Sequence, residues 1–209
     1  MGPDAFLSLP LSESLMSTLI YIHGFLSSPQ SAKAQITQDW LRRHRPDWQF
    51  ECPALSSHPA QARAALEALL DRVSGQPIFL LGSSLGGFWA TYLAETHGLP
   101  AVLINPAVSP QRRFQELVGQ TLKNYHTAET CTLTAADMTE LAACDINPLQ
   151  NPDLYWLLVQ TGDETLDYRD AVAKYQGCRQ TVETGGSHAF DNYEGWLPEI
   201  AAFFEEFDT

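Results

Sequence analysis

Six short apolar runs rich in β-branched and aromatic residues recur along the chain: Thr18–Ile22, Trp48–Pro53, Pro77–Leu81, Ala101–Ile104, Leu154–Gln160 and Cys178–Val182. Stretches of helical period separate them, most clearly Pro59–Val73, where Ala62, Leu66, Leu69, Leu70 and Val73 share one face, then Gly86–His97 and Gly195–Phe207. Strand alternating with helix predicts right-handed crossovers and a mainly parallel sheet of about six strands, covered by helices on both faces. An open α/β sandwich is the expected architecture, and a chain of 209 residues suits one such domain.

The alternation breaks between Pro106 and Pro152. Two helix-like pieces, Gln111–Asn124 and Thr134–Cys144, occur there with no intervening strand signal. Thr134 and Asp137 have the spacing of a capping box at the start of the second piece. A helical insertion of this kind, about 107–152, reads as a small cap over a pocket, the alternative being padding on one sheet edge. Residues 1–15 read as an irregular, disordered extension ahead of a second methionine, Met16, which directly precedes the first strand.

Chemistry concentrates at Gly82-Ser-Ser-Leu-Gly86, followed by Gly87, which joins the run Pro77–Leu81 to an amphipathic helix. A nucleophile displayed on a sharp strand-to-helix turn needs neighbours without side chains, so that strand and helix can approach and the hydroxyl stays open. Ser84 is therefore the candidate nucleophile, and the backbone N–H of Leu85, at the start of the helix, a candidate oxyanion donor. A tight turn into a helix is the bland explanation of the same residues.

A serine hydroxyl needs a base and an orienting acid, ordered Ser, then Asp or Glu, then His in this architecture. Asp163 follows the run Leu154–Gln160, where loops of a parallel sheet present functional groups, and is the expected acid. Glu164 and Asp167 stand beside it, and capping of a helix starting near Asp167 is the structural alternative for all three. His188 lies in Thr184-Gly-Gly-Ser-His188-Ala-Phe190, between the last strand and the last helix, and is the candidate base. The loop after the first strand, His23-Gly24-Phe25-Leu26, offers a second oxyanion donor, Phe25 with Leu26 as the alternative. His23 itself reads as a loop-holding residue; His44, His58, His97 and His126 read as structural or surface histidines.

Composition narrows the partners. Twenty-five acidic residues against twelve basic ones give a net charge of −13, a field that repels phosphate backbones and anionic lipid surfaces, so neither nucleic acid nor membrane is an expected partner. No run approaches the eighteen apolar residues of a membrane span and no secretory leader precedes the first strand, which points to the cytoplasm. Cys52, Cys131, Cys144 and Cys178 form no C-x-x-C pair and read as reduced thiols. Neither H-E-x-x-H nor a P-loop lysine is present, so no metal or cofactor is expected.

Taken in order, Ile20-Tyr-Ile-His-Gly-Phe25, Gly82-Ser-Ser-Leu-Gly-Gly-Phe88, Ile104-Asn-Pro-Ala107, Gln160-Thr-Gly-Asp-Glu164 with Leu166-Asp-Tyr-Arg169, and Gly185-Gly-Ser-His188 with Phe190 resemble the small YqiA-like bacterial esterases, a compact branch of the α/β-hydrolase superfamily. The likeness spans essentially Met16 to Phe207. It implies a reduced α/β-hydrolase fold and a serine esterase for short acyl esters or thioesters, with the Ser–Asp–His roles falling on Ser84, Asp163 and His188. Cleavage of a C–C or amide bond by the same parts, or a non-catalytic binding protein on the same scaffold, are the rival expectations.

Overall fold

The structure, a computed structural model, describes residues 16–208; the extension expected over residues 1–15 lies outside them. The chain runs β1 (Thr18–Ile22), α1 (Ala32–His44), β2 (Gln49–Glu51), α2 (Pro59–Arg72), β3 (Ile78–Ser83), α3 (Leu85–His97) and β4 (Ala101–Ile104). It continues through α4 (Pro110–Phe114), a hairpin of β5 (Thr121–Lys123) and β6 (Thr130–Thr132), then α5 (Ala135–Cys144), β7 (Tyr155–Gln160), α6 (Tyr168–Lys174), β8 (Arg179–Glu183) and α7 (Tyr193–Glu205).

Six strands pair in the order β2-β1-β3-β4-β7-β8, every pairing parallel. All residues of β1, β4 and β7 are buried, as strands covered on both faces must be. Because successive side chains point to opposite faces, β1 sends Ile20 and Ile22 into a core shared with α2 and α3. Its Leu19 and Tyr21 go into a second core with Trp40 of α1 and Phe203 and Phe204 of α7. The sheet therefore separates two apolar layers, the doubly covered α/β arrangement expected from the alternation.

The segment between β4 and β7 departs from expectation. Gln111–Asn124 is not one helix: α4 ends at Phe114, a 3₁₀ turn covers Gln115–Leu117, and Thr121–Lys123 is a strand. Gly119 stands at φ 81°, a left-handed backbone that terminates helix. Beyond it, Thr121 and Lys123 find antiparallel partners in Thr132 and Thr130, where β-branched residues are favoured. The second piece is helical as expected. Thr134 Oγ1 accepts the Asp137 N–H at 3.3 Å, and Asp137 Oδ2 accepts the Thr134 N–H at 2.8 Å, closing the capping box.

A buried ion pair ties this segment to α6. Lys174 Nζ of α6 lies 2.8 Å from Asp145 Oδ1, with the two side chains 5 % and 12 % exposed. The other carboxylate oxygen accepts Ser109 Oγ at 2.7 Å and Gln111 Nε2 at 3.0 Å. Both ends of the segment and α6 thus meet on one carboxylate, whose remaining lone pairs are satisfied as a buried charge requires.

Candidate active site

Ser84 occupies the turn between β3 and α3 with φ 56° and ψ −122°, a conformation that non-glycine residues rarely adopt and that is kept only where surrounding structure imposes it. Its N–H is held by the Ile104 carbonyl of β4 at 3.0 Å. The turn closes only because its flanks lack side chains. A Cβ on Gly86 would overlap the Ile22 carbonyl oxygen, and one on Gly82 the carbonyl of Gly86.

His188 reaches this turn from the loop between β8 and α7. Its Nε2 lies 3.1 Å from Ser84 Oγ and its Nδ1 2.8 Å from Asp163 Oδ2. Nδ1–H donating to the carboxylate leaves Nε2 as acceptor for the serine hydroxyl, the tautomer a general base requires. The Asp163 side chain is only 1 % exposed and the His188 ring 23 %, so the acid sits behind the ring while the edge facing Ser84 remains open.

Burial alone would raise the Asp163 carboxyl, but the His188 ring and the amides of Leu166 and Thr165, donating at 2.8 Å each, hold it below the usual aspartate range. Glu164, the first neighbouring alternative, accepts the backbone N–H of His188 at 3.0 Å. Asp167, the second, caps α6 by accepting the Arg169 N–H and pairs with that guanidinium. Neither carboxylate reaches the imidazole.

Phe25, Leu26 and Leu85 border the same cavity as Ser84 and His188. Among the described residues the amides of Phe25, Leu26 and Leu85 have no hydrogen-bond acceptor, which leaves them free to donate to a bound oxygen. Gly24 brings the loop in close, since a Cβ there would stand 3.3 Å from the Ser84 Cβ. His23 is buried and locks that loop: Nδ1 donates to the Gly24 carbonyl at 2.9 Å and Nε2 accepts the Leu55 N–H at 3.2 Å. Burial pushes its pKa down, and both ring nitrogens are spent on backbone.

The cavity holds about 460 Å³, and Phe25, Val108, Phe114, Leu117, Leu122 and Leu166 give it a mainly apolar wall. Several of these come from the irregular segment after β4, which therefore shapes the pocket.

Three further residues support the site without having been singled out in the sequence. Asn105, at φ 41°, accepts the Gln160 N–H at 3.0 Å and donates Nδ2 to the carbonyls of Ser187 at 3.0 Å and His188 at 3.3 Å. Gln160 Oε1 in turn receives the N–H groups of Ser187 and Asp191. Lys33 of α1 donates to the carbonyl of Ala189 at 2.9 Å. Asn105 and Gln160 stand in stretches that matched the family pattern, which was their only cue; Lys33 had none.

The sequence model of the family described as "Uncharacterised protein family (UPF0227)" matches residues 18–205. The chain belongs to this family. That agrees with the resemblance carried by the stretches from Ile20 to Phe190. A UPF0227 protein of Serratia proteamaculans is 25 % identical over 190 residues, covering 88 % of this chain and 97 % of its own.

Among solved structures, mouse alpha/beta hydrolase domain-containing protein 10 superposes with a TM-score of 0.72 at 17 % identity, over 91 % of this chain and 90 % of its own. The esterase domain of a Rhodothermus marinus protein gives a TM-score of 0.65 at 14 % identity, over 96 % and 90 %. These UPF0227 residues thus adopt the α/β-hydrolase fold. No helix of the described residues is long and apolar enough to cross a membrane.

Proposed function

We propose that the protein is a serine hydrolase that cleaves acyl esters or thioesters through an acyl-enzyme at Ser84. The observation that carries this reading is the continuous hydrogen-bonded line from Ser84 Oγ through His188 to Asp163, at 3.1 and 2.8 Å, opening into an apolar cavity.

In the first step His188 Nε2 takes the hydroxyl proton as Ser84 Oγ attacks the acyl carbonyl. The Phe25 and Leu85 amides receive the developing oxyanion, Leu85 with the added help of the positive end of α3. Asp163 holds the ring in its reactive tautomer and stabilises the imidazolium. The same histidine returns the proton to the leaving alcohol or thiol. It then activates water to release the acid, so the cycle needs no redox or metal partner. That the Rhodothermus domain is an esterase favours an ester over a C–C or amide bond, and a mainly apolar wall suits an acyl chain.

A fluorophosphonate probe with mass-spectrometric mapping of the adduct tests the first step. Labelling is expected on Ser84 and lost in Ser84→Ala; a label that persists in that variant overturns the assignment.

A further inference from the structure

Positive charge is scarce in this chain, twelve lysines and arginines against twenty-five acids, and where it is left without an acid is informative. Eight of the twelve pair with carboxylates: Arg42, Arg43, Arg45, Arg63, Arg72, Arg169, Lys174 and Arg179. Among the described residues the four without such a pair are Lys33, Arg112, Arg113 and Lys123. Lys33 is spent on the loop that bears His188. The other three belong to the segment between β4 and β7, with Lys123 following the pocket residue Leu122 on β5.

Arg113 has the most specific position. Its side chain borders the apolar cavity over Ser84 and also an adjoining, more polar groove of about 550 Å³ that Arg112 lines too. Val108, Arg113 and Leu166 form the ridge shared by the two. Of the other charges in the groove, Lys174 is taken by Asp145 and Asp167 by Arg169, leaving Asp170 as the opposing carboxylate. A free guanidinium at the boundary between an apolar pocket and a polar groove is suited to an oxyanion carried on a partly apolar molecule, because it can offer paired N–H donors while staying partly hydrated. In a chain of net charge −13 such an anion would otherwise be repelled.

We propose that Arg113 is an anion-recognising, specificity-determining residue of this site. The preferred substrate is an acyl ester or thioester bearing a carboxylate or phosphate. Its apolar part lies against Phe114, Leu117 and Leu122, and its charge meets Arg113 at the ridge. The proposal rests on the reading of Ser84 as the nucleophile.

The test uses matched ester pairs that differ in charge, with the ratio of kcat/KM values as the readout. One pair, the mono-4-nitrophenyl ester of adipate and its methyl ester, puts the anion on the acyl side. The other, 4-acetoxybenzoate and its methyl ester, puts it on the leaving group. Relative to Arg113→Ala, the wild type should favour the anionic member of at least one pair by roughly tenfold or more, the scale of a hydrogen bond to a charged group. Arg113→Lys should keep part of that preference and Arg113→Glu reverse it. Raising ionic strength should shrink it, whereas the distant Arg42→Ala should leave the ratio unchanged. Preference in the first pair places the anion on the acyl chain, and in the second on the leaving group; either supports the proposal. Turnover of all four esters with ratios that Arg113 substitutions do not move overturns it and leaves the hydrolase reading standing. Absence of turnover for every ester overturns that reading and this proposal with it.

Discussion

Asn105 at the end of β4 holds His188 from beneath: its side-chain amide donates to the His188 carbonyl at 3.3 Å, while its carbonyl oxygen accepts the Gln160 N–H at 3.0 Å. One side chain, 2 % exposed, thereby links the strand that anchors the Ser84 turn, the strand that precedes Asp163 and the loop that carries His188. Asn105→Leu removes these bonds and leaves buried backbone groups unpaired. A loss of about 2–4 kcal/mol is expected in urea unfolding, with kcat for a 4-nitrophenyl ester down roughly 100-fold from a displaced imidazole. Wild-type kcat in a folded variant would refute the clamp.

The carboxylate behind the ring separates two neighbours that look alike in the sequence. Asp163→Asn should cost roughly 10⁴-fold in kcat, because the imidazole loses the acceptor that selects its tautomer. Asp167→Asn should leave kcat within a few-fold, since its oxygen serves the N-cap of α6. Steady-state kinetics on the two purified variants decide it; a large loss in Asp167→Asn with kcat retained in Asp163→Asn would move the acid to Asp167.

Pocket shape predicts chain-length selectivity. Leu122 of β5 stands in the cavity wall, so Leu122→Trp should fill part of the space beyond the ester carbonyl. Across 4-nitrophenyl esters from acetate to octanoate, KM is expected to rise roughly tenfold or more for the longer chains and to change little for acetate, about the range set by a few methylenes of lost apolar contact. A uniform change along the series would place the acyl chain elsewhere.

Stability should fall in acid for an identifiable reason. Asp163, Asp145 and Asp137 are all held below the ordinary aspartate range. Burial opposes the shift at each, and hydrogen bonds outweigh it: from His188 at Asp163, Gln111 and Lys174 at Asp145, and Thr134 at Asp137. A carboxyl with a lower pKa folded than unfolded stabilises the protein above the unfolded value, and that contribution is lost as pH falls through the folded one. Urea midpoints should therefore decline from pH 5 towards pH 3. Asp145→Asn should lower the midpoint at pH 7, because Lys174 is then left buried without its partner, and should flatten the decline. An unchanged pH slope in Asp145→Asn would exclude Asp145 as a source.

The parallel sheet was legible in the sequence because its causes are local. Fully apolar strands, helical faces such as Ala62, Leu66 and Leu69, and glycines around Ser84 each report on a few neighbouring residues whose backbone they constrain. The order Ser84, Asp163, His188 was legible for a related reason: in a parallel sheet the loops after the strands gather at one edge, so position along the chain implies position in space. The helix expected over Gln111–Asn124 does not form: apolar spacing alone cannot weigh the left-handed backbone at Gly119 against strand partners beyond the following turn. Tertiary structure alone decided that Asn105 and Gln160 clamp the His188 loop and that Arg113 is left without an acid at the pocket's edge. Each of these depends on groups tens of residues apart whose distances are set by strand order and register, and no local pattern records them.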